Sequence, residues 1–336
     1  MLLDKLSRPL TALRLSVTDR CNFRCNYCMP ADIFGHNYVF LTRSEILTFE
    51  EICRVAKIFV QLGVAKIRLT GGEPLLRQDL EVLIEMLSQI EGLNDIALTT
   101  NGYLLKKKAQ ALKTAGLQRI TISLDSLSPE LLKNLAGQHL ELEQVLAGIH
   151  AAVEVGFFPI KINSVIQKGV NDEKILDLAK FAKKHGHILR FIEYMDVGNL
   201  NDWKMDQVVS AQEIVNTISA AMPIVPVEKN YQSEVAHRYR YLDGGGEIGI
   251  IASVTRPFCG DCSRIRLSAE GKLYTCLFAT RGWDLKKPLR SGASDEELRE
   301  LITTVWHDRV DQYSEERTSH TKMHSQKKIE MYQIGG

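Results

Sequence analysis

The sequence predicts an α/β fold, namely a partial (β/α)6 barrel of the TIM-like type followed by a smaller C-terminal α+β domain. Three observations support this prediction. Short β-rich runs alternate with amphipathic helical runs over residues 10–194, the β-rich runs carry polar and apolar residues in turn, and the βα rhythm stops after Met195. A βα repeat is typical of a parallel sheet, and six units are too few for a closed eight-stranded barrel.

Each element of the barrel has its own signal in the sequence. The predicted strands are rich in β-branched and apolar residues and occupy residues 13–18, 66–70, 96–101, 119–125, 160–166 and 188–194. The predicted helices have apolar residues at helical spacing and occupy residues 49–62, 80–90, 104–115, 142–155 and 175–184. Glycine follows several of these helices directly, as is typical of a helix end.

The pattern within the strands favours an open barrel over a doubly wound sheet with helices on both faces. A parallel strand that is covered on both faces is normally apolar throughout. Here one face carries polar residues such as Arg14, Arg68, Thr99 and Lys161, which would be costly to bury without partners. We therefore expect a polar cavity on the concave face. The pattern does not assign the inward face of the last strand, 188–194.

The end of the βα rhythm predicts a domain boundary. The barrel is predicted to span residues 1–196 and the C-terminal domain residues 197–310, with one helix near 211–221. The remaining residues, 311–336, are rich in charged and polar side chains and end in two glycines. Such a composition predicts a flexible tail.

Composition argues against several classes of function. The 42 basic residues balance 41 acidic ones, so we expect neither a nucleic-acid-binding nor a membrane-surface protein. No run is apolar enough to span a membrane, and residues 1–20 contain no apolar signal core. Six of the seven cysteines fall in two clusters, which indicates metal binding in the reducing cytoplasm. The seventh, Cys53, is expected to be an inert core thiol.

Three cysteines near the N-terminus predict a metal centre. Cys21, Cys25 and Cys28 lie just after the first predicted strand, and three thiolates can hold a soft metal or an iron-sulfur cluster. Both a tetrahedral zinc site and a four-iron cluster have four ligand positions, so one position would stay open for a small molecule. A structural zinc ion with a distant fourth ligand is the alternative.

A second set of three cysteines, Cys259, Cys262 and Cys276, predicts a metal centre in the C-terminal domain. A distant histidine or carboxylate could complete a zinc site here as well. Arg264 and Arg266 follow directly and, in an extended segment, project to the same side. Two guanidinium groups beside an open metal position favour an anion as the ligand.

The cationic residues taken together predict a polyphosphate ligand. Arg14, Arg68 and Lys161 face the expected cavity, and Arg264 and Arg266 could close it from the second domain. These faces carry no matching carboxylates. A triphosphate would neutralise such a set through charge-assisted hydrogen bonds.

The spacing of the first three cysteines, with Tyr27 directly before the last of them, resembles the signature of radical SAM enzymes. Residues 69–77 (LTGGEPLLR) are similar to the Gly-Gly-Glu-Pro segment of these enzymes, although two glycines after a strand also suit an ordinary turn. The resemblance implies a 4Fe-4S cluster at the three cysteines, whose open iron chelates S-adenosylmethionine (SAM) and whose electron cleaves it to a 5′-deoxyadenosyl radical. It also implies SAM contacts at Tyr27, Gly72, Ser123 and Met195.

Further segments resemble one family of radical SAM enzymes, the GTP 3′,8-cyclases of molybdenum cofactor biosynthesis. These segments are 19–30 (DRCNFRCNYCMP), 189–195 (LRFIEYM), 256–266 (RPFCGDCSRIR) and the terminal diglycine. The resemblance implies a second 4Fe-4S cluster at Cys259, Cys262 and Cys276. It implies that the GTP-binding residues are Arg14, Arg68, Thr99, Lys161, Arg264, Ile265 and Arg266. It further implies catalytic roles for Arg14, Gly335 and Gly336.

The reaction that the resemblance implies forms 3′,8-cyclo-7,8-dihydro-GTP. Hydrogen is removed from ribose C3′, C3′ attacks guanine C8, and the resulting radical is reduced. The implied partners are an external one-electron donor and the next enzyme, cyclic pyranopterin monophosphate synthase. The sequence is compatible with a homodimer but does not give the oligomeric state. Two other classes stay open at this point, a peptide-modifying radical SAM enzyme and a non-catalytic metal-binding module.

Overall fold

The computed structural model describes residues 1–317 and 327–335, and in this part of the chain twelve strands form one sheet. The strands are β1 (Ala12–Ser16), β2 (Lys66–Thr70), β3 (Asp95–Thr100), β4 (Arg119–Ser123), β5 (Lys161–Ile166), β6 (Ile188–Glu193), β7 (Ile224–Val227), β8 (His237–Tyr241), β9 (Glu247–Ile251), β10 (Arg264–Leu267), β11 (Lys272–Tyr274) and β12 (Trp283–Asp284). The helices are α1 (Phe49–Gln61), α2 (Leu80–Ser88), α3 (Leu105–Thr114), α4 (Pro129–Ala136), α5 (Leu142–Glu154), α6 (Ile175–Lys184), α7 (Ala211–Ala221), α8 (Lys286–Arg290), α9 (Asp295–His307), α10 (Tyr313–Glu316) and α11 (Met331–Ile334).

The sheet has the topology of an open barrel. Strands β1 to β6 are parallel and lie side by side in chain order. The C-terminal residues extend both edges, because β10 pairs in parallel with β1 and β9 pairs in parallel with β6. Short antiparallel strands then follow at each outer edge. The predicted partial barrel is therefore confirmed.

Local sequence explains why the helices begin where they do. Thr48 and Glu51 form a reciprocal capping box at the start of α1, and Ser294 with Glu297 does the same for α9. Helix α4 is an element that our prediction missed. Ser128 followed by proline is nevertheless a typical helix start. The Ser128 hydroxyl accepts a hydrogen bond from the Leu131 amide, and proline has no N–H group that would need an acceptor.

The apolar faces of the strands form the core beneath the helices. Leu13, Leu15, Ile67 and Leu69 are at most 1% exposed, as the alternation predicts. Strand β6 follows the same rule, because its residues alternate between buried and half-buried positions. Its inward face, which the pattern left open, holds the residues at 190 and 192.

Within residues 1–317 and 327–335, none of the helices combines the length and the apolar character needed to cross a bilayer.

The flexible tail predicted for residues 311–336 is corrected for residues 311–317, which include α10, and for residues 327–335. Tyr332 is 4% exposed and Ile334 is fully buried. The Ile329 amide donates to the Ala279 carbonyl at 2.8 Å. Packing of two apolar side chains offsets the entropy of ordering this short segment. Residues 318–326 and Gly336 lie outside the described residues.

Candidate active site

A cavity of about 420 Å³ occupies the concave face of the open barrel. Strands β1 to β6 line it, β10 continues this wall beyond β1, and the second cysteine loop completes the lining. It brings together predicted site residues from both halves of the chain: Arg14, Arg68, Thr99, Lys161, Met195, Cys259, Cys262, Arg264, Arg266 and Cys276. Residues more than 200 positions apart in sequence thus share one wall because β1 pairs directly with β10.

The inner wall holds a concentration of half-buried positive charge. Burial and the neighbouring guanidinium groups lower the pKa of Arg68 to about 10 and that of Lys161 to about 7. Burial and repulsion from Arg266 and Arg264 also lower the pKa of Arg14. Like charges that are removed from water repel strongly, so this wall is complementary to a polyanion.

Four further cations on the cavity wall were not predicted from the sequence. They are Lys66, Arg119, Arg190 and Arg309. Lys66, Arg119 and Asp95 lie at the start of their strands, where Asp95 pairs with both cations. The expectation that no carboxylate lies on these faces is therefore corrected at Asp95. The alternation of β6 was visible in the sequence, but it did not show whether Arg190 or its neighbours on the other face of the strand point into the cavity.

Ile265 does not share the placement of its neighbours. Its side chain is fully buried in the hydrophobic core and is absent from the cavity wall. The two-residue period of β10 explains this, since Arg264 and Arg266 project to the cavity side. The side chain of Ile265 therefore does not line the cavity, and only its main chain could contribute to the predicted binding.

The first cysteine loop follows β1 and is pinned to the carboxyl ends of three other strands. The Tyr27 hydroxyl donates to Asp125 Oδ2 at 2.7 Å, just beyond β4. Asn101, just beyond β3, donates to Asn22 Oδ1 at 2.9 Å. The Gly72 amide, just beyond β2, donates to the Thr18 carbonyl at 2.9 Å. Parallel strands end at one edge of a sheet, so the loop sits over that edge.

The environment of Cys21, Cys25 and Cys28 fits an iron-sulfur cluster. Burial raises the pKa of all three thiols, and the nearby Cys21 thiol contributes to the shifts at the other two, so these thiols would lose their protons as the metal binds. The Phe23 amide donates to Cys21 Sγ at 3.4 Å, and the backbone of Tyr332 partly offsets the rise in the pKa of Cys28. Amide donors to sulfur are a common way in which proteins stabilise cluster thiolates.

The second cysteine loop has a similar donor set with a stronger positive field. The Phe278 amide donates to Cys276 Sγ at 3.4 Å. Burial would raise the pKa of Cys262, but the guanidinium groups of Arg264 and Arg309 outweigh it and lower the pKa to about 5. A thiol that is ionised at neutral pH is a ready metal ligand. Within the described ranges, no three His, Cys, Asp or Glu side chains converge as ligands of a single metal ion.

The two glycines after β2 are required by the backbone of the first cysteine loop. A Cβ atom at Gly71 would lie 2.4 Å from the Thr18 carbonyl oxygen, and one at Gly72 would lie 2.3 Å from the Arg20 carbonyl oxygen. The Glu73 carboxylate is buried behind them and accepts hydrogen bonds from Thr100 and from the Asn101 amide. This tight pairing fixes the two loops relative to each other.

The predicted SAM-binding residues lie along the same edge of the sheet. Tyr27 and Gly72 belong to the two paired loops, Ser123 ends β4, and Met195 follows β6. Among these four residues, only Met195 also lines the cavity. The structure thus places the SAM-binding candidates along the edge where the strands end, and the cationic candidates on the wall below.

The tail reaches this edge of the sheet, where Gly335 lies beside Thr70 and Arg266. A Cβ atom at Gly335 would lie 2.1 Å from Thr70 Cγ2, and its φ of +71° is in the left-handed region. Arg266 donates to the carbonyl oxygen of Gly335. One cavity cation therefore contacts the tail directly, and only glycine fits this position.

Two family models match consecutive parts of the chain. The Radical SAM superfamily model matches residues 15–182, and the Molybdenum Cofactor Synthesis C model matches residues 187–315.

Curated relatives match almost the whole chain. A protein of Acidothermus cellulolyticus named GTP 3′,8-cyclase is 57% identical over 318 residues, which cover 94% of this chain and 88% of that protein. A protein of Staphylococcus haemolyticus with the same name is 50% identical over 335 residues, which cover 99% of this chain and 98% of that protein.

Solved structures share the fold at low sequence identity. SuiB of Streptococcus suis matches with a TM-score of 0.58 and 16% identity, covering 93% of this chain and 68% of SuiB. A structure of SuiB bound to S-adenosylmethionine matches with a TM-score of 0.52 and 20% identity, covering 63% of this chain and 47% of SuiB. The chain therefore spans about half of SuiB in that comparison. The curated relatives and the two family models show that the chain belongs to the GTP 3′,8-cyclase family of the radical SAM superfamily.

Proposed function

We propose that this chain is a lyase that converts GTP to 3′,8-cyclo-7,8-dihydro-GTP, the first step of molybdenum cofactor biosynthesis. The observation that carries the proposal is the wall of half-buried cations, which is complementary to a triphosphate and shares one cavity with the second cysteine triad. The name shared by relatives at 50% and 57% identity supports the same reaction.

The proposed cofactors are SAM and two 4Fe-4S clusters. Cys21, Cys25 and Cys28 would hold the first cluster, and the triad at 259, 262 and 276 would hold the second. When bound, the first cluster and SAM would supply a 5′-deoxyadenosyl radical, which removes hydrogen from ribose C3′ so that C3′ can join C8.

The chain's own residues would bind and orient the substrate. Arg68, Lys161 and Arg190 form a cationic wall that would hold the phosphates through charge-assisted hydrogen bonds. Arg14 would then lie between this wall and the second cysteine loop, since it belongs to β1, the strand that pairs with both β2 and β10. The predicted GTP contacts of Thr99, Arg264, Ile265 and Arg266 and the catalytic roles of Arg14, Gly335 and Gly336 are parts of this proposal.

The remaining predictions belong to the same proposal. An external one-electron donor would reduce the clusters, and cyclic pyranopterin monophosphate synthase would take the product. We retain the predicted division into a barrel over 1–196 and a C-terminal domain over 197–310. We also retain a cytoplasmic location without nucleic acid or membrane as partner, with a homodimer as one possible assembly.

An anaerobic incubation with SAM, a strong reductant and each nucleoside triphosphate in turn tests the proposed reaction. We expect a cyclic product and matching amounts of 5′-deoxyadenosine with GTP only. Turnover with another nucleotide would contradict the substrate, and absence of SAM cleavage in a fully loaded protein would favour a non-catalytic metal-binding module.

Replacing Lys161 by methionine is expected to weaken GTP binding at least about tenfold, because one charge-assisted bond contributes roughly 1.5 to 3 kcal/mol. Burial and the guanidinium groups of Arg190, Arg119 and Arg68 lower the pKa of Lys161 to about 7. Its charge, and with it the attraction for phosphate, therefore increases as the pH falls through 7 and is lost as the pH rises.

Calorimetric titration with GTP between pH 6 and pH 8.5 measures both effects of Lys161. The triphosphate also takes up protons in this range, so the informative quantity is the ratio of affinities between the wild type and Lys161→Met. We expect this ratio to shrink at high pH. A ratio that does not change with pH, or equal affinities for GTP and guanosine in the wild type, would contradict the assignment.

A further inference from the structure

Asp196 is a buried carboxylate that follows Met195 directly and contacts the tail. Its side chain is 10% exposed, and its Oδ2 atom accepts a hydrogen bond from Lys328 Nζ at 2.9 Å. Lys328 Nζ also donates to the Asp196 carbonyl oxygen at 2.7 Å. On its other oxygen, Asp196 forms an ion pair of 2.9 Å with Arg317. The Tyr313 hydroxyl donates to Oδ2 as well.

Two of these partners are cations that are themselves almost fully buried. Arg317 and Lys328 are each 8% exposed, so their charges depend on Asp196 for compensation. Burial alone would raise the pKa of Asp196, but Arg317, the Tyr313 hydroxyl and Lys328 outweigh it and lower the pKa. Asp196 is therefore an anion that pairs with two cations at one point.

An aromatic pair completes this cluster. The rings of Phe278 and Tyr313 stack at a centroid distance of 4.4 Å. Lys328 Nζ lies 4.9 Å from the Tyr313 ring centre, and Arg317 lies 5.1 Å from the Phe278 ring centre. Cation-π contacts of this kind gain strength when they are desolvated. We name Asp196, Phe278, Tyr313, Arg317 and Lys328 the tail latch.

The tail latch is connected to the tail residues at the edge of the sheet. Asn199 Nδ2 donates to the Lys328 carbonyl at 2.7 Å, and the Asn199 amide donates to Glu330. Four residues after Lys328, the Tyr332 hydroxyl lies 2.6 Å from that of Tyr38. Three residues further on, Gly335 contacts Thr70 and Arg266. The path from the latch to Gly335 is thus only seven residues long, which restricts where Gly335 can lie.

We propose that Asp196 is the positioning residue that docks the C-terminal tail and so holds Gly335 at the site where SAM and substrate meet. Asp196 touches neither reactant in this role, and it acts through Lys328. The expected effect of Asp196 on product formation rests on the proposed cyclase function. The expected effect of Asp196 on docking of the tail does not depend on that function.

The first test is Asp196→Asn, which keeps the shape of the side chain and removes its charge. Hydrogen-deuterium exchange of the holoenzyme should show amide protection in residues 327–335 reduced at least about tenfold, because a buried ion pair has lost one partner. Lys328→Met removes the partner of Asp196 on the tail and should reduce this protection in the same way. It replaces Asp196→Asn in the test if that variant folds poorly. Asp243→Asn is the matched control, since Asp243 is exposed and pairs with Lys183 at the surface.

The second test separates positioning from a general structural role. In Asp196→Asn, we expect the yield of cyclic product per 5′-deoxyadenosine to fall at least about tenfold while the iron content of the protein stays unchanged. In a chain that already lacks Gly335 and Gly336, the same substitution should lower this ratio no further.

Two results would overturn the proposal. One is unchanged protection of residues 327–335 in both latch variants. The other is a full additional loss of the ratio when Asp196→Asn is added to the truncated chain. A wild type that forms no cyclic product would refute the proposed function instead, and the exchange measurement would still decide whether Asp196 docks the tail.

Discussion

Replacing Cys262 by alanine is expected to abolish cyclic product while some cleavage of SAM continues, whereas replacing Cys25 is expected to abolish both. The two thiols belong to separate triads, one over the edge of the barrel and one on the cavity wall. Loss of Cys25 removes a ligand of the centre that would reduce SAM. Loss of Cys262 leaves that centre intact but changes the wall that would face the substrate.

Iron and sulfide analysis after anaerobic reconstitution measures this difference. The wild type should hold about eight iron atoms per chain and each variant about four, since each 4Fe-4S cluster contributes four. Cys53→Ala is the matched control, because Cys53 is 6% exposed within the core cluster and should leave iron and activity unchanged. A wild type with about four iron atoms, or with zinc in their place, would contradict the two-cluster proposal.

Deleting Gly335 and Gly336 is expected to leave folding, both clusters and SAM binding intact while product formation falls by about a hundredfold or more, because orientation at the reacting atoms is lost. Gly335→Ala should have nearly the same effect. A methyl group at this position would lie 2.1 Å from Thr70 Cγ2, so the tail end would have to move. The ratio of cyclic product to 5′-deoxyadenosine reports the loss.

Gly169→Ala is the control for backbone strain alone. Gly169 has a φ of +74°, close to the +71° of Gly335, and nothing lies within 4 Å of its added Cβ atom. We expect this variant to lose some stability and to keep its product ratio. Full cyclisation by the truncated enzyme would make the diglycine dispensable, and failure of that enzyme to fold would show that the diglycine serves only to dock the tail.

The sequence alone determined the open α/β barrel and the wall on which its cations lie. Strand periodicity has this power because a side chain in a parallel strand can face only the helices or the cavity. Arg14, Arg68 and Lys161 carry charges that the helix-facing side could not accept, and they lie on the cavity wall. The boundaries of the first six strands are predicted within one or two residues for the same reason.

Only the tertiary structure decided the features that depend on contacts between distant segments. The pairing of β1 with β10 brings Arg266 beside Arg14, and no local pattern specifies which strand joins the open edge. The sequence of β6 did not show which of its two faces points into the cavity, because the faces that begin with Leu189 and Arg190 were equally plausible. The pairing of β6 with its neighbouring strands decided this. The tail was predicted to be flexible because its residues are polar. Its order depends on contacts with distant segments, among them the ion pair between Lys328 and Asp196, more than 100 positions away, and local sequence does not reveal the partner of a buried ion.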